Sequence, residues 1–155
     1  MKEKEQIQKI LKRTRFMYFY FLGFLILAII ISLIAAFLQL VTTELDEGPY
    51  RTIITISSVL ILLISNFFYN KRLQRLSVEM PLKNRIEKMS GAFFVKIAMY
   101  EAVALSSLTI FMQSGEYFYL GISGIFLVAL VINFPSKRRI LKDVPLAESD
   151  LEVLK

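Results

Sequence analysis

Apolar residues along the chain gather into four long runs, at residues 16–41, 53–69, 92–112 and 117–134, separated by charged or turn-forming segments. A helix needs roughly 20 predominantly apolar residues to cross a bilayer, and each run meets that need. The first, 26 residues long, exceeds a hydrocarbon core of roughly 30 Å, so it tilts or continues past the interface. The third contains Lys96 and Glu101, and the fourth stops at Pro135, which cannot continue a helix. The pattern predicts an all-α, polytopic integral membrane protein with four transmembrane helices in a single membrane domain. The short connections 42–52 and 113–116, the second turning at Ser114-Gly115, predict two antiparallel hairpins. A secretory signal peptide is the competing reading of the N-terminus. The first apolar run is about twice the length of a typical signal core and has no small-residue cleavage site, so it is kept as a retained first helix.

The central connection, 70–91, is divided by Pro81. Beyond it Leu82, Ile86 and Met89 recur at helical spacing between Lys83, Arg85 and Lys88, the pattern of a short helix lying in the membrane interface. The tail, 135–155, begins basic and ends acidic at Glu148, Asp150 and Glu152. That asymmetry suits docking to a partner or folding back onto the basic connection, although a stretch this polar is often disordered when alone. Asn66-Phe67, Lys71-Arg72 and Pro81 have counterparts in Asn133-Phe134, Lys137-Arg138 and Pro145, which hints at a duplicated hairpin. The plainer reading is that any span leaving into the cytoplasm gathers such residues.

Charge sets the orientation. Of 19 Lys and Arg, 17 lie before the first run, in the central connection or in the tail, so the positive-inside rule puts both termini and the central connection in the cytoplasm. Aromatic residues agree, with Phe16, Tyr18, Phe19, Phe67, Phe68 and Phe93 at the inner interface and Tyr50, Tyr117 and Phe118 at the outer. Lys71, Arg72, Arg75, Lys83, Arg85, Lys137, Arg138 and Arg139 are the expected contacts to anionic lipid. This placement accounts for the basic segments without nucleic acid. The composition, 55% hydrophobic with mean hydropathy +0.56, fits membrane residence. Absence of Cys and His removes disulfides, His- or thiolate-bound metals and cofactors, and His-based catalysis, so the chain reads as a non-enzyme without cofactors. The acidic cluster Glu44, Asp46 and Glu47 beside Gly48-Pro49 reads as a solvated turn rather than a metal site, since calcium takes six to eight oxygens.

Glu101 is the residue singled out as an ion or proton candidate. Near the middle of the third span, it cannot reach water by snorkelling. Lys96 is a poor partner, because five residues on a helix mean a rotation of about 140° and a rise of about 7.5 Å. Lys96 is expected to snorkel to the cytoplasmic headgroups, leaving Ser32, Ser58 and Ser123 as candidate hydrogen-bond partners for Glu101. The stretch Ala98-Met99-Tyr100-Glu101-Ala102 is similar to the proton-carrying helix of rotary ATPase c subunits, in which a Glu sits among small residues. The likeness is confined to that stretch, and the six Gly of the whole chain depart from that family's Gly-rich packing. Small residues also recur at helical spacing at Ala98, Ala102 and Ser106 and at Gly121 and Gly124, the signature of close helix packing. A polar pathway through the bundle is the sharper alternative.

The overall pattern resembles small four-span proteins of the bacterial inner membrane. The function expected is an accessory or scaffolding subunit working through helix–helix contacts in a homo-oligomer or a larger membrane complex. The alternative is an oligomeric proton- or cation-coupled transporter built around Glu101. Because the native chain has no Cys, single introduced cysteines test the topology without background. Thr43→Cys is expected to react with a membrane-impermeant maleimide on intact cells, and Ser77→Cys only after permeabilisation. The opposite labelling would overturn the orientation.

Overall fold

The computed structural model describes residues 2–41, 47–146 and 150, without the side chains of residues 2, 3, 47, 137, 138 and 141. The acidic cluster at Glu44, Asp46 and Glu47, the side chains of Lys137 and Arg138, and most of the acidic end of the tail thus lie outside the described residues. Five helices follow in order: α1 (Lys2–Phe37), α2 (Glu47–Leu73), α3 (Leu82–Ser114), α4 (Tyr117–Ile132) and α5 (Lys137–Asp143). The first three are long and apolar enough to cross a membrane. The fourth is apolar but has only 16 residues, about 24 Å of helix. It stops where Pro135 forbids continuation, and Asn133 at its end donates from Nδ2 to the Ala129 carbonyl (2.6 Å).

Helix limits depart from the apolar runs where polar residues are themselves good helix formers. The Lys-, Glu- and Gln-rich segment before residue 16 belongs to α1 without a break. Residues 82–90, expected as a separate helix lying in the interface, are instead the first turns of α3. Gly91 is the only breaker at that join, and one Gly costs a helix only about 1 kcal/mol. The apolar face of those turns is not free either. Leu82, Ile86 and Met89 pack with Ile7 of α1 and with Ile140 and Val144 around α5 in a second, smaller core.

The main core is organised around α3, which packs against α1, α2 and α4, while α1 also meets α4. Among the described residues α1 and α2 touch each other at most marginally, so they occupy different flanks of α3 and are not a packed hairpin. α3 and α4 do pack on each other, joined by a two-residue connection. Gly115 turns it at φ 74°, donating its N–H to the Phe111 carbonyl (2.8 Å); a residue with a Cβ would be strained at that φ.

Large rings fill the centre, with Tyr18, Tyr100, Tyr119, Phe111 and Phe126 all buried. Buried hydrogen bonds tie the helices: Tyr18 donates to the Leu130 carbonyl (3.0 Å), the Thr14 and Ser90 hydroxyls bond at 2.9 Å, and Ser123 donates to the Ala104 carbonyl (2.9 Å). Ile7, Leu73, Leu82 and Ile140 gather at one end of the bundle, and Arg51 stacks over Phe118 at the other (4.6 Å). The helices therefore alternate in direction, and the basic segments share one end. The two Asn-Phe pairs are not equivalent, because α2 continues to Leu73 beyond Asn66 whereas α4 ends just before Asn133.

Outward faces of α1, α2 and α4 are rich in Ile, Leu, Val and Phe, an apolar sleeve far larger than a water-facing monomer exposes. Burial, rather than hydrophobicity alone, is expected to decide stability. Leu25→Ala, at a fully buried position, should cost about 2–5 kcal/mol in detergent unfolding, and Leu27→Ala, 54% exposed, under about 1 kcal/mol. Equal losses would refute this packing.

Candidate functional site

A helix that buries side chains on several flanks can bury charges among them, although Glu87 and Lys88 of α3 stay exposed. Three are buried on α3: Arg85, Lys96 and Glu101, at 2%, 4% and 6% exposure. Arg85 and Lys96 are eleven residues apart, which on a helix brings them to within about 20° of the same face. Glu101 leaves a different one.

Lys96 does not snorkel to the surface as its sequence context suggested. Its Nζ donates to Asn133 Oδ1 at 2.8 Å and lies over the rings of Tyr69 (5.1 Å) and Tyr100 (5.7 Å). The reason is local: Asn133 closes α4 beside it, and two aromatic faces replace part of the water an ammonium group loses. Arg139 shares the same acceptor, donating from Nη2 to Asn133 Oδ1 (2.8 Å), and also reaches Asp143 Oδ2 (3.4 Å). Tyr69 donates its hydroxyl proton to Asp143 Oδ2 at 2.6 Å. Two cations, one carboxylate, one amide and one phenol thus form a continuous network joining α2, α3, α4 and α5.

Arg85 was expected to contact anionic lipid, and its geometry corrects that expectation. Nε donates to the Met80 carbonyl (2.8 Å), Nη1 to the Pro145 carbonyl, and Nη2 to Asp150 Oδ2 (2.9 Å). A guanidinium satisfied in three directions and buried is a structural clamp. It holds the Pro145 carbonyl and Asp150 of the tail against the first turns of α3. Of the other basic residues expected at lipid, Lys71, Arg72 and Arg75 are exposed and Lys83 lines a groove with Lys9 and Arg13, whereas Arg139 is drawn into the network with Asn133 and Asp143.

Glu101 faces a groove of about 320 Å³ between α1 and α3, walled by Tyr20, Phe21, Phe24, Ala98, Ala102 and Leu105. The three serines proposed as partners do not reach it. Ser32 donates to Ala28, Ser58 to Ile54, and Ser123 to Ala104 and Tyr119, all backbone carbonyls. Among the described residues nothing hydrogen-bonds or pairs with the Glu101 carboxyl. Ala98, Ala102 and Ser106 face outward beside it, so that stripe does not pack an internal seam. The second stripe is similarly open, since a Cβ at Gly121 or Gly124 would meet nothing within 4 Å.

Sequence reasoning missed Asn133 as a ligand for Lys96 and Asp150 as a partner for Arg85. The available signals were an amide at the end of an apolar run and acidic residues opposite a basic connection. No group of three or more acidic side chains able to hold a metal occurs among the described residues. Comparison with protein families, curated proteins and solved structures returns no match, so any functional reading rests on this geometry.

Asn133→Leu should therefore leave buried Lys96 and half-buried Arg139 short of an acceptor and lower stability by about 1.5–3 kcal/mol. Adding Lys96→Met should recover part of that loss in a double-mutant cycle read by thermal unfolding. Strict additivity would mean that the Lys96–Asn133 bond is inconsequential.

Proposed function

We propose that the chain is a small multi-pass protein of the bacterial inner membrane, with both termini in the cytoplasm, that serves as an accessory or scaffolding subunit. It joins a helix of a partner membrane protein at the α1–α3 groove. One observation carries this reading: a buried carboxyl without a donor sits in an outward-opening groove, beside small residues at four-residue spacing. In an apolar medium, helices associate through close approach at small residues and through hydrogen bonds between them. Ala98, Ala102 and Ser106 supply the first and Glu101 the second. The occupant that fits is a helix carrying Ser, Thr, Asn, Lys or Arg at the matching depth, which would satisfy a group that is costly to leave unbonded.

Proton- or cation-coupled transport by an oligomer is the second reading, and it draws on the same carboxyl. Among the described residues no other carboxylate and no Lys or Arg lines the groove, whereas proton paths usually need several groups in file. Scaffolding is therefore preferred.

Filling the groove distinguishes them. Ala102→Phe should reduce co-purification of partners at least tenfold in native mass spectrometry, while Glu101→Gln, which keeps hydrogen bonding without charge, retains them. Unchanged associates in Ala102→Phe would overturn the scaffolding reading. Loss of pH-driven flux in Glu101→Gln liposomes would favour transport.

A further inference from the structure

A second cleft, on another flank of α3, carries the opposite chemistry. It measures about 160 Å³, lies between α2 and α3, and is lined by Ser65, Phe68, Tyr69, Arg72, Val95 and Lys96 among others. Lys96 and Arg139 are answered within the network by the single carboxylate of Asp143. Arg72, exposed at the cleft, adds a further cation. Among the described residues, the only oxygen that Lys96 Nζ bonds is Asn133 Oδ1, which Arg139 also uses. An ammonium group has three protons to donate. A surplus of positive charge in a poorly hydrated cleft is stabilised by an anion, and phosphate oxygens suit a Lys–Arg pair.

The rest of the wall narrows the source. Phe68 and Val95 are exposed apolar side chains continuous with the outer sleeve, so a ligand held here has its charged part beside Lys96 and Arg72 and its remainder against an apolar flank. Basic pockets between membrane helices near an interface hold acidic phospholipid headgroups in this way.

We propose that the α2–α3 cleft is a specific site for a phosphate-bearing anion, one acidic phospholipid per chain, with Lys96 and Arg72 as its ligands. The site depends on the chain lying in a membrane but not on the Glu101 groove, which involves α1.

Native mass spectrometry of the delipidated full chain, titrated with phosphatidylglycerol, phosphatidylcholine or inorganic phosphate, tests the site. One phosphatidylglycerol should bind at least tenfold more tightly than phosphatidylcholine. Arg72→Gln, at an exposed position that leaves the fold intact, should weaken it several-fold, and Lys96→Gln further. Lys71→Gln and Arg75→Gln, outside the cleft, should not. Equal binding of the two lipids, or equal losses in Lys71→Gln and Arg72→Gln, would overturn the site in favour of diffuse surface attraction. Displacement of the lipid by millimolar phosphate would keep the anion site and assign it to a soluble ligand. Loss of partners in Ala102→Phe with this lipid retained would show the two sites to be separate.

Discussion

A charge removed from water is tolerated only where other groups replace its hydration, and α3 carries three buried ones along a single helix. Their angular positions organise the rest of the molecule. Arg85 and Lys96, nearly in line, turn toward the same side, where Asn133, Asp143, the Pro145 carbonyl and Asp150 join the network around them. The bend at Pro135 that ends α4 is what brings the segment after it back. The end of α4, the small second core and Asp150 thus come together around two cations.

Glu101 lies outside this arrangement. It faces α1, whose contribution to the groove is aromatic, and among the described residues nothing from the C-terminal segment lines that groove. Its position relative to Lys96 follows from the helical repeat alone, which separates residues five apart by about 140°. An acid and a base on one helix therefore end up in different clefts on different flanks, one short of a donor and the other rich in cations.

Much of the architecture was legible because hydropathy measures what it needs to: the apolar middle of each helix, the turn at Gly115 and the stop at Pro135 all have local causes. Helix ends were less legible, since Lys- and Glu-rich segments favour helix without being apolar, so α1 and α3 run on through residues that a hydropathy reading assigns to loops. The pairing of Lys96 with Asn133 and of Arg85 with Asp150 was hidden for a different reason. Those partners are 37 and 65 residues apart, and the rule that a membrane lysine snorkels outward considers only the helix that carries it. The Glu101 groove was half legible: the carboxyl and the small residues stood out, but not that the small residues face away from the bundle.

That outward placement bears on what the surface is for. Inside the bundle Tyr18, Tyr100, Phe111, Tyr119 and Phe126 fill much of the space between helices with large rings, and buried Ala104 and Ser123 let α3 and α4 approach closely enough for Ser123 to bond the Ala104 carbonyl. The outward small residues Ala98, Ala102, Ser106, Gly121 and Gly124 take no part in that internal fit, and a Cβ added at Gly121 or Gly124 would clash with nothing. A lipid-facing surface gains nothing from Ala, Ser and Gly over Leu or Ile, since acyl chains conform to either. A helix gains a great deal, because small residues let its backbone approach and let polar groups meet. Under the proposed scaffolding role, outward small residues next to a carboxyl that nothing bonds among the described residues are what a partner helix would use.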